Sequence, residues 1–133
     1  MTQGRHNVHG KGGLRFKTPY TSSKHKAMLR NVVTELIVKE KVTVTSGVVK
    51  DLKKVADRLV GYAKKGDLHS RRLAAAVVRN VDADKEGKTS ALDKLFSDLG
   101  KRFAKRNGGY TCSYKLNERR GDGASLVIVE WAK

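Results

Sequence analysis

The chain has 133 residues, enough for one domain with one modest core. Lys and Arg number 29 against 13 Asp and Glu, so the formal net charge is +16, and the expected partner is a nucleic acid or an acidic membrane surface. No apolar run is long enough to span a membrane, and a single cysteine, Cys112, excludes an internal disulfide.

Residues 1–19 are rich in Gly and cations and have no hydrophobic period, so they cannot bury enough apolar surface to offset the entropy of ordering. We expect a flexible basic extension that orders on its partner, followed by a single RNA-binding domain over residues 20–133. The extension also lacks an apolar signal core, which disfavours secretion and favours the cytoplasm. Its predicted RNA contacts are Arg5, Lys11, Arg15 and Lys17.

The first predicted helix starts at a cap among residues 21–23 and runs to about Lys39, because its apolar residues recur at four-residue spacing. Lys24, His25 and Lys26 fall in its first turn, where the helix dipole disfavours positive charge by about 0.3 to 1 kcal/mol each. A phosphate bound at the free N–H groups of that turn would offset this cost. The pattern therefore predicts a phosphate site at the start of the helix.

The next segment is predicted to hold one strand and two helices. Residues 41–45 alternate Val with Thr, the period of a half-buried strand. We expect Ser46 to cap a second helix that ends at Gly66, where a left-handed residue is common, and Asp67 to cap a third. The third helix is predicted to turn four residues inward: Leu68, Leu73, Ala76 and Val77.

Residues 81–88 break the helical period and concentrate acids, which predicts an exposed loop that faces away from RNA. Ser90, with Asp93 three residues on, resembles a capping box and predicts a fourth helix. Gly100 is expected to end or kink that helix.

Two strands are predicted near the C-terminus. Residues 110–116 alternate in polarity, Ser125 to Trp131 form an apolar run rich in Val and Ile, and residues 119–123 supply a glycine-containing hairpin turn. The elements together predict an α+β fold in two layers, with a small mixed sheet packed against three to four helices.

A second basic block occupies this C-terminal part. A helix would present four of its cations as one ridge: Lys101, Arg102, Lys105 and Arg106. In the segment Asn107, Gly108, Gly109 and Tyr110, the glycines allow close approach to sugar-phosphate, and the tyrosine either stacks on an unpaired base or belongs to the core. Arg119 and Arg120 at the hairpin tip are predicted phosphate contacts.

Signatures of metal sites and catalysis are weak. His6 and His9 are two residues apart in a glycine-rich segment, whereas structural zinc usually takes four N or S ligands. No nucleophile with a base and an orienting group is suggested, and no phosphate-binding glycine motif occurs. We therefore expect no catalytic residue, no metal, no cofactor, no small-molecule substrate and no membrane partner.

Four segments in order resemble the bacterial large-subunit ribosomal protein seventeen family: TSSKHKAMLRN at 21–31, YAKKGDLHSRR at 62–72, KLFSDLGKRFAKRNGGYT at 94–111 and RRGDG at 119–123. The resemblance runs from about Leu14 to Glu130. One departure is Cys112, which stands where the family usually has an arginine after Gly-Gly-Tyr-Thr.

The resemblance implies a structural constituent of the large ribosomal subunit near the nascent-chain exit. The implied partners are large-subunit ribosomal RNA and neighbouring ribosomal proteins. The implied RNA-facing residues are Lys24, Lys26, Arg30, Lys64, Lys65, Arg71, Arg72, residues 106–110, Arg119 and Arg120.

Two other classes remain open on the residues alone. A DNA-compacting protein would share the charge but should show a groove-entering helix or ribbon with paired symmetry. A small ribonuclease would need an acid/base pair inside a basic cleft, and the densest carboxylates lie in the loop at residues 81–88.

Overall fold

The computed structural model describes residues 21–133, so the predicted extension and its cations Arg5, Lys11, Arg15 and Lys17 lie outside the described residues. Three helices and three strands of this part are α1 (Ser22–Lys39), β1 (Lys41–Thr45), α2 (Val49–Lys65), α3 (Leu68–Ala75), β2 (Thr111–Glu118) and β3 (Ser125–Trp131). A short α4 (Ala91–Lys94), a π-helical turn (Leu95–Leu99) and α5 (Gly100–Arg102) follow one another without a break, and we call residues 91–102 the C-terminal helix. The predicted α+β class is confirmed.

Local capping signals work as predicted at two helix starts and one helix end. The Lys24 N–H donates to Thr21 Oγ1 over 3.4 Å at the start of α1. Gly66 ends α2 in the left-handed region, with φ 68°, and the Ser70 N–H donates to the Asp67 carboxylate over 3.2 Å. Because α3 begins directly after this turn, α2 and α3 form a tight helical pair.

The sheet is antiparallel throughout the described residues, in the order β1-β3-β2, and the expectation of a mixed sheet is wrong in this respect. β1 and β2 do run in the same direction, but β3 lies between them and pairs with both. Val127, Val129 and Trp131 of β3 are buried against the helices, whereas Leu126 and Ile128 on the opposite face are only half-buried. The helices therefore cover one face of the sheet.

Ser46 does not cap α2. The helix begins at Val49, and Val48 at the N-cap position makes no side-chain hydrogen bond. The Ser46 N–H instead donates to the Ser125 carbonyl over 2.9 Å, which extends the pairing of β1 with β3 by one residue. The tertiary pairing thus overrides the local capping preference.

The inward face of α3 is also different from the prediction. The four expected residues are exposed or half-buried: Leu68, Leu73, Ala76 and Val77. Ser70, Ala74 and Val78 are buried in their place, at a strict four-residue spacing. Small side chains at Ser70 and Ala74 let this short helix lie close to its neighbours, which the larger leucines would prevent.

Gly100 neither ends nor kinks the C-terminal helix. Ser90 caps this helix by accepting from the Asp93 N–H over 3.1 Å, as predicted. The Gly100 N–H donates to the Leu95 carbonyl in the π-helical turn, and the helix continues to Arg102. A Cβ added at Gly100 would lie 3.0 Å from the Ala63 carbonyl oxygen of α2. The glycine is therefore required for the close contact of two helices.

The core lies between the helices and the inner face of the sheet. Phe103 is its largest fully buried side chain, with its ring centroid 5.3 Å from that of Tyr110 and 6.0 Å from that of Trp131. The Trp131 Nε1–H donates to the Leu36 carbonyl over 3.0 Å, which ties the end of β3 to α1. The aromatic cluster therefore joins the C-terminal helix, the sheet and α1.

Two alanine substitutions in helices should have opposite effects on stability. Both gain helix propensity, worth about 0.8 to 1 kcal/mol, but only Gly100→Ala meets backbone, and overpacking costs typically about 1 to 3 kcal/mol. A Cβ at Gly61 meets nothing within 4 Å. In urea unfolding, Gly61→Ala should raise the free energy of unfolding by about 0.5 to 1 kcal/mol and Gly100→Ala should lower it by about 1 kcal/mol. Equal stabilisation by both would contradict the close contact.

Candidate nucleic-acid interface

The predicted RNA-binding cations within residues 21–133 divide into three groups according to their contacts. One group pairs with carboxylates, a second donates to neutral oxygens, and a third has no side-chain partner among the described residues. Over the same residues, no helix is long and apolar enough to cross a membrane, and no cluster of three His, Cys, Asp or Glu could hold a metal ion.

Cations of the first group have structural partners. Arg71 of α3 pairs with Asp93 at the start of the C-terminal helix, and its guanidinium carbon lies 5.4 Å from the Phe96 ring centroid. Arg102 donates to Glu40 over 2.8 Å and also to Asp98. The charges of Arg71 and Arg102 are therefore largely compensated within the protein, which weakens their assignment to RNA.

Cations of the second group keep their charge uncompensated. The Arg30 Nε–H donates to the Val77 carbonyl over 3.0 Å. Lys64 Nζ donates to the Arg106 carbonyl over 2.7 Å. Such bonds to neutral oxygens hold the side chains in place without cancelling their positive charge. Arg106 donates to a backbone oxygen of Lys133 over 3.0 Å.

Cations of the third group are exposed. Within residues 21–133 they have neither an ion pair nor a side-chain hydrogen bond, so their donors are available to an external partner. We call them the free cations: Lys24, Lys26, Lys65, Arg72, Lys101, Lys105 and Arg120.

His25 is not a surface contact. Its side chain is only 5% exposed, and its Nε2 lies 3.4 Å from Asp51 Oδ2 in the first turn of α2. The assignment of His25 to RNA contact is therefore wrong for the described structure. Its physical role is to join the starts of α1 and α2, which brings the exposed Lys24 and Lys26 beside the first turn of a second helix.

Tyr110 belongs to the core. It is 8% exposed, its ring packs against Phe103, and its hydroxyl donates to the Arg106 carbonyl over 3.2 Å. Of the two roles left open by the sequence, stacking on an unpaired base is excluded by this burial. Tyr114 is 56% exposed and lies opposite Ile128 on the uncovered face of the sheet, so its ring is available for stacking. The period-two pattern of β2 could have identified it.

The basic ridge predicted beyond Gly100 does not form as one helix. The helix ends at Arg102, and the Ala104 N–H donates to the Lys101 carbonyl in a tighter turn. Lys105 and Arg106 therefore leave the helical row, and Arg106 begins the loop at 106–110. Within that loop Gly108 and Gly109 have φ values of 115° and 60°, which L side chains rarely adopt.

The loop at 106–110 and the hairpin tip lie at opposite ends of the sheet. β2 starts at Thr111, beside the loop, and runs eight residues to Glu118, so the tip is roughly 25 Å away at about 3.4 Å per residue. At the tip Arg119 donates to both Asp122 oxygens, over 3.0 and 2.5 Å, whereas Arg120 is exposed and free within the described part of the chain. The predicted contacts therefore do not form one compact patch.

The exposure of the acidic loop is confirmed, since Asp82, Asp84 and Glu86 are all exposed. Its orientation relative to RNA stays a prediction.

Three exposed cations of α2 are not among the predicted RNA contacts: Lys50, Lys54 and Arg58. Their four-residue spacing places them on one face of a helix and could have identified them.

The Arg119–Asp122 pair should titrate at low pH. Hydrogen bonds from the Arg119 guanidinium and the Ala124 N–H lower the pKa of Asp122 from 3.8 to about 2. Because the folded pKa lies below the unfolded one, the pair's contribution is complete above about pH 4 and is lost as the pH falls through about 2. In a carboxyl NMR titration, Arg119→Gln should raise the Asp122 midpoint towards 3.8, and Arg120→Gln should leave it unchanged. An unshifted midpoint in Arg119→Gln would contradict the pairing.

Comparison with known proteins places the chain in a family. The family model that matches, over residues 28–132, is described as ribosomal protein L17. Proteins named large ribosomal subunit protein bL17 are similar over most of their length. The one from Shouchella clausii is 48% identical over 111 residues, covering 84% of this chain and 92% of its own. The one from Ligilactobacillus salivarius is 51% identical over 116 residues, covering 83% and 91%. The resemblance inferred from the residues is thus confirmed, and the chain belongs to the ribosomal protein L17 family.

Proposed function

We propose that this chain is a structural constituent of the large ribosomal subunit that binds ribosomal RNA through Lys and Arg contacts to phosphates. Its place of action is then the cytoplasm, within the ribosome near the nascent-chain exit, with other subunit proteins as neighbours. The family membership supports this role, since the relatives are named as large-subunit proteins. We expect no catalytic activity.

The observation that carries the proposal is the set of free cations. Thirteen acids cannot neutralise 29 Lys and Arg, and among the predicted contacts within residues 21–133 the acids pair with Arg71, Arg102 and Arg119. The free cations are left exposed at separate places on the molecule. Exposed, unpaired cations release counterions from RNA when they neutralise phosphates, and this release supplies much of the affinity.

The start of α1 is the best-supported single phosphate site. Lys24 and Lys26 are exposed in the first turn of a helix of 18 residues, whose free N–H groups and dipole favour an anion. The His25–Asp51 contact places the first turn of α2 beside the first turn of α1, so the starts of two helices lie next to each other. This arrangement supports phosphate binding and explains why the two lysines are tolerated there.

Removal of both lysines should reduce the salt dependence of RNA binding. The slope of log K against log salt concentration is negative, and each phosphate contact contributes about 0.7 to 0.9 to its magnitude. Lys24→Ala/Lys26→Ala should therefore reduce the magnitude of the slope by roughly 1.5. Filter binding of the full chain to purified large-subunit RNA, at several salt concentrations, measures this slope. The matched control is Lys85→Ala/Lys88→Ala in the acidic loop, for which we expect the wild-type slope.

The same assay discriminates RNA from DNA as the ligand. Duplex DNA added at equal phosphate concentration and moderate salt should displace little of the bound RNA. Complete displacement would contradict the ribosomal function and favour a DNA-compacting protein, and an unchanged slope in Lys24→Ala/Lys26→Ala would contradict the phosphate site.

A further inference from the structure

The exposed side of α2 carries a stripe of residues of which only Lys65 belongs to the free cations named above. At spacings of four, eight, eleven and fifteen residues, its members share one face of the helix, opposite the buried Leu52, Ala56 and Leu59. Its length is about 22 Å at 1.5 Å per residue. We call this set the α2 stripe: Lys50, Lys54, Arg58, Gly61 and Lys65.

The cations of the α2 stripe lack compensation by the protein. All four are exposed, and within residues 21–133 none has an ion pair or a side-chain hydrogen bond. Like charges at four-residue spacing destabilise a helix, and Lys50 lies in the first turn, near the positive end of the dipole. The acids of α2 do not relieve this repulsion, because Asp51 faces His25 and Asp57 has one carboxylate oxygen buried. Such a row is typical of a surface that binds a polyanion.

Gly61 interrupts the row in the interior of the helix. Glycine is the least favourable helix residue apart from proline, so a mid-helix glycine usually has a packing reason. Gly100 has one, since its Cβ would lie 3.0 Å from the Ala63 carbonyl oxygen, but a Cβ at Gly61 would meet nothing within 4 Å. No contact among the described residues requires that a side chain be absent at Gly61. Close approach of an external molecule to the helix backbone would require it.

The α2 stripe joins two of the surfaces described above. At its Lys50 end, the contact between His25 and Asp51 brings α1, with Lys24 and Lys26, alongside. At its Lys65 end, the neighbouring Lys64 donates to the Arg106 carbonyl and so adjoins the loop at 106–110. A ligand that follows the stripe would therefore touch both predicted sites.

We propose that the α2 stripe seats a segment of RNA sugar-phosphate backbone, with Lys54 and Arg58 on phosphates and the closest approach at Gly61. This inference rests on the proposed binding of ribosomal RNA and adds the surface that connects its separate contacts. A protein partner fits less well, because the cores of protein interfaces are depleted in Lys, and the stripe presents cations around a bare backbone.

The first test enlarges the side chain at Gly61. Gln favours a helix and has open space at this position, so Gly61→Gln should keep a thermal midpoint at or above that of the wild type. Its affinity for purified large-subunit RNA should fall roughly tenfold or more, as for loss of one charged hydrogen bond. The matched control is Ser97→Gln, an exposed helical position near Asp93 and Asp98, which should bind like the wild type.

The second test removes charge. Lys54→Ala/Arg58→Ala should reduce the magnitude of the slope of log K against log salt concentration by roughly 1.5, whereas Lys85→Ala/Lys88→Ala should leave it unchanged. Both variants lose exposed side chains only, so circular dichroism should show wild-type helix content for each.

The outcomes separate this inference from the proposed function. If the wild-type chain binds the RNA but Gly61→Gln and Lys54→Ala/Arg58→Ala bind as the wild type does, the α2 stripe is overturned and the function stands. If Gly61→Gln binds naked RNA normally but is lost from assembled subunits, the stripe contacts a protein and the RNA proposal is overturned. Failure of the wild-type chain to bind large-subunit RNA would overturn both.

Discussion

Mutual repulsion among the cations is the constraint under which this chain folds, because 29 Lys and Arg share a chain of 133 residues with 13 acids. Carboxylates pair with the cations that lie where two helices pack together. Asp93 holds Arg71 of α3 against the C-terminal helix, and Glu40 holds both Lys94 and Arg102 of that helix. The cations beyond reach of these acids remain exposed, so the same shortage that limits stability leaves charge available for RNA.

Glu40 is an acid that pairs with two cations at once. It is the one described residue other than glycine with a positive φ, 67°, and it ends α1 one residue before β1 begins. Burial raises the pKa of its carboxyl, but hydrogen bonds and charge from Arg102 and Lys94 outweigh burial, so the pKa lies below its usual value. A single acid thus ends α1 in the left-handed region and fixes two cations. Arg102 consequently serves the fold, although its position in a basic block predicts RNA contact.

Features that depend on local chemistry could be predicted from the sequence, and those that depend on tertiary contact could not. Asp67, Gly66 and the alternation of residues 41–45 act through their immediate neighbours, and the structure confirms them. Gly100 looks like a helix breaker until α2 is found against it, and Tyr110 looks equally suited to stacking and to the core until Phe103 is placed. For the candidate site, residue type identifies the cations, but only the contacts distinguish paired from free ones.

Sedimentation of a cell extract through a density gradient, with the subunits dissociated and this chain quantified in each fraction, tests the central claim most directly. At low salt the chain should migrate with large-subunit RNA, and it should be released progressively as the salt concentration rises, since its contacts are electrostatic. A chain found only among free proteins at low salt would contradict the account.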